Sequence, residues 1–155
     1  MKIEVAVPSS ATTKERGDLL ESLAEKLLSA QSYEVIKEIR LTAVELDLLC
    51  KHKVNGKEIY VECKAHKDNL DANVLKNLAG TQVLKGYSEA WLISTAELGK
   101  EAKGFVKEWQ SKPPGVSSTL SFYTPDKVIN SLISSNIVSQ PPFEVAETPW
   151  ERKSN

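Results

Sequence analysis

Two cysteines, two histidines and one methionine in 155 residues leave little material for soft-metal or redox chemistry. Cys50 and Cys63 lack a Cys-x-x-Cys spacing, and with the scattered His52 and His66 they make no zinc-ligand pattern. Neither sign of charge is in excess: Lys plus Arg total 20, and Asp plus Glu total 21. The chain as a whole is therefore not a polycation, and any affinity for a polyanion must come from local clustering or from a partner. Long apolar runs are missing too. The opening "MKIEVAVPSS" has no continuous apolar core of a secretory leader, and no segment reads as a membrane span. No membrane partner is expected, a reducing cytoplasm is the expected setting, and no internal repeat is evident.

What remains is ordinary globular material, 41% apolar and 26% charged, enough for one domain with a real core. Thr12 and Glu15 have capping-box spacing, which predicts a helix starting at residue 13. Leu19, Leu20, Leu23, Ala24, Leu27 and Leu28 form its apolar stripe, and Glu21 sits on the flank of that stripe. "YEVIKEIRL" and "VELDLLCKHKV" read as strands joined by a turn around Leu41 to Ala43. Asn55-Gly56 then signals a hairpin, with "EIYVECKA" as the returning strand. Val74, Leu75, Leu78 and Ala79 share one helical face before Gly86, a helix stop. "SEAWLIS" is apolar enough for a strand buried on both faces. "TAELGKEAKGFVKEW" predicts another helix and "TLSFY" a last strand. "TPDKVINSLISS" predicts a final helix, with Thr124 as cap and Pro125 in its first turn. This order predicts an α/β fold, an α/β/α sandwich around a mixed sheet.

A two-residue Asn55-Gly56 loop would pair Val54 with Lys57, Asp47 with Lys64, and Leu49 with Glu62. Cys63 would then face Leu48, and Val61 would face Cys50. Alternation of side chains puts Leu46, Leu48, Cys50, Ile59, Val61 and Cys63 on one apolar side and Asp47, Glu62 and Lys64 on the other. In that register Glu62 is the diagonal neighbour of Asp47, about 7–8 Å away along the backbone. Two carboxylates held so close repel unless a cation lies between them, and a hard ion such as Mg²⁺ or Mn²⁺ accepts such oxygens. A metal there can activate a water, and the Lys64 ammonium can neutralise charge developing on a phosphoryl group. The pattern suits phosphodiester hydrolysis without a covalent enzyme intermediate.

Asp47, the Glu62-Cys63-Lys64 triplet and the preceding helix with Glu21 resemble the PD-(D/E)xK nuclease superfamily, in particular its Mrr-type restriction endonuclease-like branch. The resemblance spans roughly Thr12 to Trp109, where "GYSEAWLISTAELGKEAKGF" matches the strand and helix closing that core. It implies a restriction-endonuclease-like fold in which Asp47, Glu62 and the Cys63 main-chain carbonyl ligate Mg²⁺ or Mn²⁺. It implies Lys64 as the catalytic lysine, Glu21 as a further acid facing the site, and Gln82 as a polar group presented near it. Tyr87 lies one residue beyond the tyrosine position of related nucleases and receives no role. Leu46 stands where the family name has proline, and Glu62 where many Mrr-type members have glutamine. The expected organisation is an N-terminal extension over 1–11, a nuclease domain over 12–138, and a tail or linker to a further domain over 139–155. The implied partner is DNA, chiefly duplex. Cutting both strands implies a homo-oligomer, and the biological setting implied is restriction or anti-phage defence.

Other readings use the same residues. Asp47, Glu62 and Lys64 also fit a solvated sheet face with one ion pair, worth under about 1 kcal/mol. RNA or a single strand would suit the same metal chemistry, and a retired nuclease fold would serve as a binding module. Gln82 also fits a cap on a buried carbonyl. His52 and His66 read as strand-end and loop residues, and Cys50 and Cys63 as small hydrophobes. Trp91 and Trp109 read as core residues. The lysines of "KHKVNGK" read as a solvated hairpin tip or a modest phosphate-gripping edge.

Overall fold

The computed structural model describes residues 11–137; the expected tail and, but for Ala11, the expected extension lie outside that range. Helix α1 (Thr13–Ala30) starts where the capping box predicts. Glu15 N–H donates to the Thr12 hydroxyl at 3.1 Å, and Thr12 N–H donates to the Glu15 carboxylate at 2.8 Å. Three antiparallel strands follow: β1 (Tyr33–Thr42), β2 (Glu45–His52) and β3 (Glu58–Lys64). Helix α2 (Ala72–Lys85) begins on an Asp71 cap and ends at Gly86, whose φ of 70° is the left-handed stop a glycine adopts freely. Then come β4 (Glu89–Ser94), α3 (Lys100–Gln110), the short turn α4 (Pro114–Ser117), β5 (Leu120–Tyr123) and α5 (Pro125–Ser134). The sheet runs β1-β2-β3-β4-β5, with β3-β4-β5 parallel, so it is mixed.

Strand alternation sorts the core into two layers. Leu46, Leu48, Cys50, Ile59, Val61, Cys63, Trp91 and Ile93 pack with Leu20, Ala24, Leu27 and Leu28 of α1 and with Val128 and Leu132 of α5. Ala90, Leu92, Leu120 and Phe122 point the other way, onto Leu75 and Leu78 of α2 and Ala102 of α3. β4 is thus buried on both faces, as its apolar run requires. Cys50 and Cys63 are buried free thiols. Desolvation pushes the Cys50 thiol up to about 12 and also raises that of Cys63, so both behave as hydrophobes. Trp91 is buried, and Trp109 packs at the edge of the α2–α3 layer.

Helix α1 meets the sheet through a close backbone approach. A Cβ at Gly17 would overlap the Ala43 carbonyl oxygen in the β1–β2 turn, so only glycine lets the helix lie this near. At the edge of the sheet formed by the described residues, β1 carries register shifts at Val35/Lys37 and Arg40/Thr42. Such irregularities twist an edge strand and discourage further pairing.

Two expectations are corrected. The segment 95–99 is not the start of α3 but a loop: Ser94 Oγ donates to the Ala96 carbonyl and accepts from its N–H, and Leu98 bridges Leu70. The helix begins only after Gly99, whose N–H donates to the Leu70 carbonyl at 2.8 Å. The hairpin register also differs by two residues. His52 N–H donates to the Lys57 carbonyl at 2.8 Å, and Gly56 N–H donates to the His52 carbonyl at 3.0 Å, which leaves a loop of 53–56 rather than Asn55-Gly56 alone. His52 Nδ1 accepts from Val54 and Asn55 N–H, and Asn55 Oδ1 accepts from Lys57 N–H. The side chains of His52 and Asn55 thus satisfy the extra loop amides and make the longer loop the better one. Because the slip is even, every side chain keeps its face.

Candidate active site

In the observed register Asp47 lies directly opposite Glu62, and Glu45 opposite Lys64. Backbone bonds within this ladder alternate. Ala65 N–H bonds to the Val44 carbonyl, and His52 pairs likewise with Lys57. The intervening Asp47–Glu62 pair is therefore of the non-hydrogen-bonded kind, in which facing side chains come closest. Cys63 pairs with Leu46. By the same alternation its carbonyl serves the ladder and has one lone pair left for a ligand.

The pair sits on the α2 side of the sheet, since Glu62 is the register partner of Leu92. Glu62 is only 8% exposed, and Asp47 is half-buried. Burial is the main cause that raises the pKa of both carboxyls. Lys64 opposes the rise in each, while the neighbouring acids add to it. The Tyr60 hydroxyl donates to Glu62 Oε1 at 3.1 Å, and it also works to lower the pKa of the Asp47 carboxyl against the effect of burial. Its own pKa is raised by burial and by these acids, so it stays a neutral donor.

Lys64 reaches sideways. Its Nζ lies 3.0 Å from Glu45 Oε1, and His66 Nε2 is also 3.0 Å from that oxygen. The hydrogen bond from Lys64 is the main cause that holds the Glu45 carboxyl below the usual range. A cavity of about 320 Å³ opens beside the pair, lined by Asp47, Tyr60, Tyr87, Thr81, Lys37 and Lys85 among others. Asp47 thus faces an open space bordered by two lysines from different elements.

The acid–acid–lysine set predicted from the sequence is therefore brought to one face of one hairpin, whereas Glu21 and Gln82 are engaged elsewhere. Glu21 pairs with Arg40. Arg40 is the register partner of Leu46, whose side chain belongs to the α1 layer, so Glu21 lies across the sheet from Asp47. Glu21, Glu25 and Glu38 form an acidic group of their own on that side. Gln82 donates its amide to the Tyr87 carbonyl at 2.7 Å and so caps the backbone beyond α2. The hairpin-tip lysines lie at the far end of β2 and β3 from the pair, and Lys57 is occupied by Glu89 at 3.1 Å. Sequence reasoning missed Glu45 and Tyr60. The assumed register set Glu45 opposite His66 rather than Lys64, and only the period-two spacing of Tyr60, Glu62 and Lys64 along β3 hinted that all three share a face.

A family model described as restriction endonuclease, Mrr_cat, matches residues 13–114. The chain belongs to this restriction endonuclease family. The match runs from the first helical residue through β4 and α3, so it contains the whole Asp47–Glu62–Lys64 hairpin. The five-stranded mixed sheet between helices is the restriction-endonuclease-like fold, and the domain is a nuclease of that kind. A search of curated proteins found no match. No helix among the described residues of this restriction endonuclease domain is long and apolar enough to cross a membrane.

Proposed function

We propose that the domain hydrolyses phosphodiester bonds of DNA, chiefly duplex DNA, with Asp47 and Glu62 holding a divalent cation and Lys64 assisting. The observation that carries this reading is the direct cross-strand pairing of two desolvated carboxylates. Two such groups side by side on a non-hydrogen-bonded pair raise each other's cost of ionisation, and a hard cation removes that cost. The donor set of two carboxylates and a main-chain carbonyl fits Mg²⁺ or Mn²⁺, which prefer oxygen. Such an ion would polarise a phosphoryl oxygen and acidify a water at the site.

The remaining steps belong to the protein. Lys64, anchored by Glu45, places an ammonium beside the acids, where it would offset negative charge gathering on the phosphoryl oxygens. Lys37 and Lys85 border the cavity on the Asp47 side and would hold the phosphate backbone without reading bases. Glu21 and Gln82 are left out of this catalytic set, because each is engaged elsewhere. Cutting both strands calls for two sites, which a second copy of the chain would supply. Restriction or anti-phage defence within a longer chain is the setting the family favours.

The test is incubation of the purified domain with plasmid, linear duplex, single-stranded DNA and RNA in Mg²⁺, Mn²⁺ or EDTA. Duplex cleavage in Mg²⁺ or Mn²⁺, lost in EDTA and in Asp47→Ala and Lys64→Ala variants, is the expected result. Cleavage that survives EDTA or either substitution would refute the mechanism, and cleavage of RNA alone would reassign the substrate.

A further inference from the structure

We infer that Tyr60 is a positioning residue for the acidic pair: its hydroxyl holds the Glu62 carboxylate, opposite Asp47, in the arrangement that receives a divalent cation. The inference rests on the reading of that pair as metal ligands.

Three observations converge. Tyr60 lies two residues before Glu62 on the same face of β3, so its hydroxyl reaches along the strand to the carboxylate at 3.1 Å, and it lines the same cavity as Asp47, the cross-strand partner of Glu62. A phenol has one proton, and here it goes to Glu62, which fixes that carboxylate beside the facing Asp47. Second, the ring is immobilised. It stacks on Tyr87 with centroids 5.8 Å apart and planes 7° from parallel, and it packs against the α2-side core. Tyr87 is fixed in turn by the Gln82 amide on its carbonyl. A chain of contacts thus runs from the end of α2 through two rings to the Glu62 carboxylate. Third, the Lys64 ammonium donates to Glu45, whereas the side-chain hydrogen bond that Glu62 receives comes from Tyr60.

One donated proton occupies one of the several acceptor positions of a carboxylate pair and leaves the others facing outward for a cation. A hydrogen bond to a ligating carboxylate from outside the coordination sphere orients it, and loss of such a partner typically weakens metal affinity about 10–100-fold. Tyr60 and Tyr87 both line the cavity beside Asp47.

The test is Mn²⁺ binding, measured by calorimetry and by the electron paramagnetic resonance signal of free Mn²⁺. Wild type is compared with Tyr60→Phe, which keeps the ring and its stacking, and with Tyr87→Ala, which keeps the hydroxyl but frees the ring. The expected result for Tyr60→Phe is a Kd raised about 10–100-fold with a cooperative melt retained, and for Tyr87→Ala a smaller weakening in the same direction. A Tyr60→Phe Kd within about twofold of wild type overturns the inference and leaves the metal-site reading standing. If Tyr60→Phe does not fold, an unchanged Kd in Tyr87→Ala overturns it equally. Absence of Mn²⁺ binding by wild type, or equal binding by Asp47→Ala, overturns the metal-site reading and this inference with it.

Discussion

Replacing Asp47 by Asn should stabilise the metal-free domain while abolishing its activity. Asp47 and Glu62 face each other across a non-hydrogen-bonded strand pair, with side chains about 5 Å apart at Cβ. At that separation and an effective dielectric near 20, two like charges repel by about 3 kcal/mol. Asp47 is only half-buried and Lys64 stands nearby, so about 1–2 kcal/mol of that repulsion should survive. This is comparable to the gain from burying one leucine, so the core tolerates the acids at neutral pH. Asparagine keeps the shape, yet it carries no charge. Metal-free Asp47→Asn should therefore melt about 3–6 °C above wild type at pH 7.5.

The pH dependence gives a second reading of the same physics. An acid whose folded pKa is raised binds more protons in the native state than when unfolded, so native stability falls as pH climbs from the unfolded carboxylate range through the raised value. Asp47 and Glu62 both behave this way, and their penalty is absent in acid and complete at neutral pH. Glu45 runs oppositely: held low by Lys64, it contributes stability at neutral pH that is lost on acidification. The stability difference between Asp47→Asn and wild type should consequently widen from pH 4 to pH 8 in chemical denaturation without metal. Added Mg²⁺ should raise the melting temperature of wild type but not of the variant. A variant less stable than wild type at pH 7.5 would refute the reasoning, since Asp47 would then be a satisfied structural acceptor rather than half of a repelling pair.

Three further outcomes separate the site from its surroundings. Glu21→Gln should leave the cleavage rate within about twofold, because the carboxylate serves Arg40 across the sheet; a loss of 10²-fold or more, the scale of a misplaced catalytic group, would return it to the site. Glu45→Ala should release Lys64 and His66 and lower the cleavage rate about 10–100-fold with little change in Mn²⁺ affinity, measured by single-turnover kinetics and calorimetry. Gly17→Ala should cost about 1–3 kcal/mol in urea denaturation by forcing α1 off the β1–β2 turn, while cleavage per folded molecule is retained.

The elements and the faces of this protein were legible in its sequence because both follow from local periodicity. Leu20, Ala24, Leu27 and Leu28 mark α1 by helical spacing, Thr12 and Glu15 mark its start, and the period-two rhythm of β2 and β3 puts Asp47, Glu62 and Lys64 together whichever even register the hairpin takes. Partners within that face depend on what the chain folds against. The His52 ring and the Asn55 side chain stabilise a longer loop, and that two-residue slip moves Glu62 from a diagonal to a facing position and gives Lys64 to Glu45. Glu21 sits at a helix flank that pattern alone cannot aim; Arg40, brought alongside by the β1–β2 pairing, captures it on the other side of the sheet. Tyr60 acquires its place because Tyr87, distant in sequence and carried at the end of α2, supplies the ring that holds it. Periodicity is set by bonds along the chain, whereas contact partners are set by which surfaces exclude water together, and the latter exist only once the sheet and its helices have closed.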